Sequence, residues 1–181
     1  MLLMKVHSEP EAKIPKDFRI QLTSRSTGDW IRFDFEVSAM PWTTNSNLPK
    51  GESAWGLWET DVVEVFVRPK GSSPYFEFQV SPLGQYLELK IIRPRKEVDR
   101  DYRSGIRYGV QTTGPDQAWQ AWMEIPASSL GWSGKASDLE GGAFACLGPK
   151  GGRSYWAAFL PEQNTPDFHL PQYFSPIGEL K

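Results

Sequence analysis

The segment Trp55-Gly56-Leu57-Trp58-Glu59-Thr60-Asp61-Val62-Val63-Glu64-Val65-Phe66-Val67 concentrates residue types suited to holding a ligand. Two tryptophans stand on a loop that leads into an alternating apolar run, and Glu64 follows Trp58 by six residues. An indole offers a broad apolar face, and a carboxylate offers acceptor oxygens whose hydrogen bonds are strengthened by charge. Together they suit a pyranose ring, whose C–H face is apolar and whose equatorial hydroxyls need directional partners. Apolar walls with a few convergent polar groups are the common form of a small-ligand pocket. The same residues also have a purely structural reading. Trp58 would then close one end of the fold, and Glu64 would pair across strands with Lys90 or Arg68.

Other chemistries find less in the sequence. Glu64, Glu77 and Glu88 fall on three successive strand-like runs, and alternation allows them one shared face. A glycosidase needs two carboxylates about 5 to 9.5 Å apart. Carboxylates on a wet sheet face are ordinary, however, and the expectation is a non-catalytic protein. Cys146 is the only cysteine, so a disulfide within the chain is impossible and a structural zinc site is not expected. It lies in the apolar run Ala143-Phe144-Ala145-Cys146-Leu147 and reads as a small core residue. His7 and His169 are the only histidines, so no Ser-His-Asp arrangement can be argued. With Met40 and Met123 they are the only candidate axial donors for a haem. His169 reads instead as an anchor for the C-terminal segment. Gly148-Pro149-Lys150-Gly151-Gly152-Arg153-Ser154 lacks phosphate-loop spacing and precedes no helix, so it is a hairpin turn.

The elements that must position these residues are strands. Ile31, Phe33, Phe35 and Val37 alternate with Arg32, Asp34 and Glu36, the pattern of a half-buried strand. The same period of two runs through Val62–Arg68, Tyr75–Val80 and Tyr86–Ile92. It recurs in Phe18–Ser24, Ile106–Thr112, Trp119–Ile125, Ala143–Leu147 and Ser154–Leu160. Clusters bearing Gly or Pro, such as 70–74, 81–84 and 148–152, separate the runs. The best helical turn is Pro126–Leu130, with proline in the first turn. The expected architecture is an all-β antiparallel β-sandwich of about nine or more short strands with one short helical turn. The 181 residues are expected to form one domain. Residues 1–16 are expected to dock loosely. Residues 161–181, with Pro166, Pro171 and Pro176, form an extended tail.

Net charge is -2, which gives no basic excess for phosphate contacts, so nucleic acid is not an expected partner. Arg93, Arg95, Lys96 and Arg100 are offset by Glu97, Asp99 and Asp101 and read as a solvated loop. No apolar run approaches the roughly 20 residues that span a bilayer, so no membrane partner is expected. Met1-Leu2-Leu3-Met4 is too short for a targeting core, and the cytoplasm is the expected compartment. Eight tryptophans, six tyrosines and ten phenylalanines make an exposed aromatic platform an expectation. Trp30, Trp119, Trp122 and Trp132 sit in or beside strands and read as packing residues.

Trp58-x-x-Asp61-x-x-Glu64-x-Phe66, followed by Tyr75-Phe76-Glu77-Phe78-Gln79-Val80-Ser81-Pro82-Leu83-Gly84, resembles the family 9 carbohydrate-binding modules and the wider DOMON-like group. Asp167-Phe168-His169-x-Pro171-x-x-Phe174 is similar to the end of the bacterial members. The resemblance runs from Trp30 to Gly178 and implies an antiparallel β-sandwich that holds a mono- or oligosaccharide without catalysis. In such modules two tryptophans sandwich a terminal sugar, and a glutamate six residues after the first bonds its hydroxyls. The likeness therefore implies Trp58 and Glu64 as contacts and Trp156 as the candidate second indole. Read from the residues alone, Trp156 suits core packing slightly better than a platform, and Trp55 either flanks the site or covers the sandwich edge. The arginine and asparagine ligands of the family have no match. Gln85, Leu87 and Lys90 stand near their place, and Gln85 is the candidate polar contact. Structural calcium is common in the family, with Asp61 and Glu59 as candidate ligands here, although no Asp/Asn-rich loop is present. No other cofactor is expected. The alternative is an interaction or scaffold domain that keeps the fold without the sugar.

Overall fold

Alternation along the chain becomes two antiparallel sheets in the computed structural model, which describes residues 1–6, 14–132, 135, 138–158 and 167–179. In chain order the strands are β1 (Leu2–Leu3), β2 (Lys5–Val6), β3 (Ile20–Thr27), β4 (Trp30–Val37), β5 (Val62–Pro69), β6 (Tyr75–Val80) and β7 (Tyr86–Arg93). They continue as β8 (Glu97–Asp99), β9 (Arg107–Thr112), β10 (Trp119–Pro126), β11 (Leu139–Leu147), β12 (Ser154–Ala157) and β13 (Ser175–Pro176). The first sheet has the order β1-β3-β4-β10-β9. The second runs β2-β12-β11-β5-β6-β7-β8, and β13 adds a further pairing to β11. The helical turn expected at Pro126–Leu130 is a 3-10 turn over Ala127–Leu130. Among the described residues no helix is long and apolar enough to cross a membrane.

The sheets face each other across a core built from the alternating rows. Ile31, Phe33 and Phe35 of β4 meet Val63, Val65 and Val67 of β5 and Phe76, Phe78 and Val80 of β6. Each side chain of this size contributes about 1.5–3 kcal/mol when fully buried. The second sheet is buried on its other face as well. There Val62, Phe66, Tyr75, Leu87, Leu89 and Phe144 pack beneath Ala54 and Leu57 of the preceding loop and Phe168 of the tail. A polar side chain on that outer face is therefore dehydrated, and it must be hydrogen-bonded or carry a purpose.

Two expectations change here. Residues 1–6 are docked by strand pairing: Leu2 faces Leu22, Trp156 faces Val6, and Met4 between them is buried. Two-residue strands are too short to display a period, so the sequence pattern is blind to them. The charged run after β7 folds back as β8, with Arg93 and Glu97 paired across the hairpin at 2.7 Å. Positions 7–13 of the N-terminal segment, including His7, and 161–166 of the tail lie outside the described residues. Residues 167–179 of the tail pack on the body, with Phe168 and Ile177 buried.

Candidate ligand-binding site

Local geometry sets the distance from Trp58 to Glu64. Gly56 adopts φ 88°, a left-handed conformation that favours glycine, and opens the 3-10 turn Leu57–Glu59. Thr60 closes it, with its backbone N–H and its hydroxyl both donating to Leu57 O at 2.9 and 2.8 Å. Asp61 then fixes the start of β5. Its two oxygens accept the backbone N–H of Thr43 at 3.1 Å and of Gly148 at 2.7 Å. Burial nevertheless pushes the Asp61 carboxyl up to about 6. The turn carries Trp58 to the edge of the outer face, and strand alternation brings Glu64 to the same face.

A cavity of about 430 Å³ opens there. That volume lies within the range of about 300–1,000 Å³ usual for small-ligand pockets. Trp55 and Trp58 form one wall, with ring centroids 4.6 Å apart at 88°. Trp55 is 44% exposed and carries the Arg100 guanidinium over its ring at 3.4 Å. Tyr155 and Phe168 line the cavity too, in an edge-on pair at 6.1 Å. Phe168 is stacked on Phe144 at 4.4 Å, so the tail is a fixed part of the enclosure. Arg95, Asp167 and His169 also line it, with Arg95 ion-paired to Asp167. His169 Nδ1 and the Tyr75 hydroxyl are hydrogen-bonded at 2.6 Å, so His169 anchors the tail as expected.

The polar part of the lining is Glu64, Gln79 and Glu77. Glu64 is 3% exposed and Gln79 1%. Gln79 Nε2 donates to Glu64 Oε2 at 2.9 Å and to Glu77 Oε1 at 2.7 Å. The Cys146 thiol approaches Glu64 Oε1 at 3.7 Å. Burial pushes the Glu64 carboxyl up to about 7, against the pull of the Gln79 amide, the Cys146 thiol and the Arg153 charge. Burial, and next the Glu64 charge, push Glu77 well above the usual carboxylate range. The Cys146 thiol is likewise raised, first by burial and then by the Glu64 charge, which keeps it protonated.

No protein-family model matches the chain. Its relatives by sequence include the UPF0462 protein C4orf33 homologue of Danio rerio, 27% identical over 70% of this chain. The Rattus norvegicus homologue is 28% identical over 79% of this chain and 72% of its own length. The match spans 63% of the zebrafish protein. Solved structures that superimpose include a candidate carbohydrate-binding protein from Bacteroides uniformis. It covers 96% of this chain and 83% of its own at TM-score 0.73 and 19% identity. A family 9 carbohydrate-binding module from Caldicellulosiruptor kristjanssonii in complex with glucose covers 96% of this chain and 82% of its own, with TM-score 0.61 and 11% identity. The fold is one shared with carbohydrate-binding modules. The expectation of a bacterial family draws no support from the sequence relatives, which are vertebrate proteins.

Within this module-like fold the expected contacts separate. Trp58, Glu64 and Trp55 line one cavity. Trp156 does not. It is 5% exposed, it lies in the core between the sheets with Phe18 at 5.2 Å, and its indole N–H donates to Ser154 Oγ at 3.0 Å. Pairing decides this: Ala145 opposes Trp156 and Cys146 opposes Tyr155, so Tyr155 turns to the Glu64 face and Trp156 away from it. Gln85 is fully buried and structural. Its amide N–H groups go to Asn45 O and Leu48 O at 2.8 and 2.9 Å, and its Oε1 accepts from the Ser81 hydroxyl. Glu88 does not share a face with Glu64 and Glu77, because it pairs with Phe78 and not with an outer residue. Its carboxylate accepts the N–H and hydroxyl of Ser104. Arg68 is taken by Glu140 at 2.7 Å rather than by Glu64. Each Asp61 oxygen accepts one backbone N–H, of Thr43 and of Gly148. Among the described residues no group of three or more His, Cys, Asp or Glu gathers as metal ligands.

Gln79 and Tyr155 line the cavity without being among the residues expected from the sequence. Gln79 was visible, because it shares the non-core row of β6 with Tyr75 and Glu77. Tyr155 was not, because Tyr155 and Trp156 are adjacent aromatics in a four-residue strand.

Proposed function

We propose that this protein is a non-catalytic carbohydrate-binding domain that seats a terminal sugar ring in the cavity between Trp58 and Tyr155. The observation that carries the reading is the meeting of Trp58 and Glu64, with Gln79 and Glu77 beside them, on a single cavity of ring-ligand size. The aromatic walls take the C–H faces of the sugar, and the carboxylates accept its hydroxyl protons. Likeness of fold to a module solved with glucose supports the ligand class. No covalent step is involved. Glu64 and Glu77 share one amide donor deep in the lining, Gln79 Nε2. Isothermal calorimetry with glucose, cellobiose, xylobiose and glucosamine tests the reading. Heat is expected with at least one of them, and loss of that heat in Trp58→Ala. Silence with every sugar overturns it and leaves the interaction-domain alternative.

A further inference from the structure

We propose that the cavity selects sugars carrying a free amino group, bound as the ammonium ion over Gln79, Glu64 and Glu77. The inference rests on the sugar-binding reading and narrows its ligand class.

The argument is one of donors and acceptors. Glu64 and Glu77 are each more than nine-tenths buried in the lining of one cavity. The side-chain donor between them is Gln79 Nε2, and both its hydrogens are used, one on each carboxylate. Once a bound cation holds the two carboxyls ionised, the amide cannot be turned over profitably, because Oε1 would then face two carboxylates. In the orientation it has, Gln79 Oε1 is buried and has no hydrogen-bond partner among the described residues. A buried unpaired acceptor costs about 1–3 kcal/mol, and such groups call for an explanation. Gln79 lines the cavity that Glu64 and Glu77 also line.

With that amide orientation and the carboxyls ionised, the unmet need is for hydrogens. A neutral hydroxyl brings one hydrogen and two lone pairs, whereas an ammonium brings three hydrogens and no lone pair. Charge leads to the same choice. The lining holds three acidic side chains, Glu64, Glu77 and Asp167, and one basic side chain, Arg95, which is already paired with Asp167; burial raises the pKa of Glu64 and of Glu77, so a bound cation is what favours their ionised forms. Burial lowers the His169 pKa, which keeps that imidazole neutral. Arg153 acts on Glu64 from behind the lining, where its guanidinium donates to Thr60 O. An N-acetylated sugar replaces the three ammonium hydrogens with a single amide N–H and adds a carbonyl acceptor, so it loses the match.

The test is competitive calorimetry on the wild-type protein with glucose, the 2-, 3- and 6-amino derivatives of glucose, and N-acetylglucosamine. At least one amino sugar is expected to bind about tenfold or more tightly than glucose, and N-acetylglucosamine no better than glucose. Glu77→Gln keeps the shape and removes the acidic group that would pair with the ammonium ion, so it is expected to weaken amino-sugar binding more than glucose binding and thereby to shrink the amino-to-neutral ratio. If glucose binds as well as every amino sugar, or the ratio is unchanged in Glu77→Gln, the ammonium site is wrong while the sugar-binding reading stands. If no sugar binds, both fall.

Discussion

Glu64 and Glu77 are held to one donor: Gln79 Nε2 lies 2.9 Å from an oxygen of the first and 2.7 Å from an oxygen of the second. Two carboxylates this close, away from water, cannot both ionise cheaply. Adjacent rows of β5 and β6 bring them together, because Glu64 pairs with Gln79 and Phe66 with Glu77. The sheet that forms the sandwich thus also builds the polar lining of the cavity.

This pair makes stability depend on pH with a definite sign. Folded Glu64 keeps its proton up to about 7, from an ordinary value of 4.5, and burial and the Glu64 charge displace Glu77 well above its ordinary value too. Asp61 is displaced in the same direction. Between the ordinary and the displaced values the folded chain binds more protons than the unfolded chain, so their contribution is present at low pH and is lost as pH rises. Glu77→Gln is expected to flatten the fall of Tm between about pH 5 and pH 8, and to be the more stable protein at the upper end. Thermal melts across that range check it; parallel curves for variant and wild type would count against the buried pair.

Two tryptophans should separate function from folding. Trp58 lines the cavity, and Trp58→Ala is expected to lose ligand while changing Tm little. Trp156→Ala removes a core ring packed on Phe18 and is expected to cost about 3–5 kcal/mol. Denaturant titration beside ligand binding distinguishes them. A Trp156→Ala protein of wild-type stability would contradict the inward placement of that ring. Tyr155→Ala, on the opposite face of the same strand, is expected to weaken ligand binding more than it weakens the fold.

Gln85→Ala is expected to destabilise by about 1–3 kcal/mol, since the carbonyls of Asn45 and Leu48 lose their donor. Those carbonyls belong to the loop that leads to Trp58, so ligand affinity should fall as well. Gln85→Glu, which also removes the amide donors, should behave alike. A variant that loses affinity with an unchanged melting curve would mean that Gln85 touches the ligand after all.

The fold was legible where alternation is local and one face is wet. Tyr75–Val80 and Trp119–Ile125 could be read almost to the residue, because a strand of six to eight residues displays its period within itself. Facing was illegible where both sides of a sheet are buried. In β7 the apolar row Leu87, Leu89 and Ile91 suggests the core between the sheets, yet it lies on the outer face with Glu77, while Glu88 turns toward the other sheet. Apolar character marks burial, and it cannot say which of two buried faces is meant. The same ambiguity exchanged Trp156 for Tyr155, since only the pairing of β12 with β11 fixes which aromatic meets the cavity. Trp58 and Glu64 escaped it because turn and strand are contiguous in the chain.

The six N-terminal residues cross from one sheet to the other, with β1 on the flank of β3 and β2 on the flank of β12. Each covers a row of N–H and C=O groups that would otherwise stand open, and open rows are templates for another chain. One short strap thus shields two flanks on the same side of the sandwich. Its loss would threaten solubility before it threatened the core: the molecules would be expected to stitch together edge to edge while each still kept its interior intact.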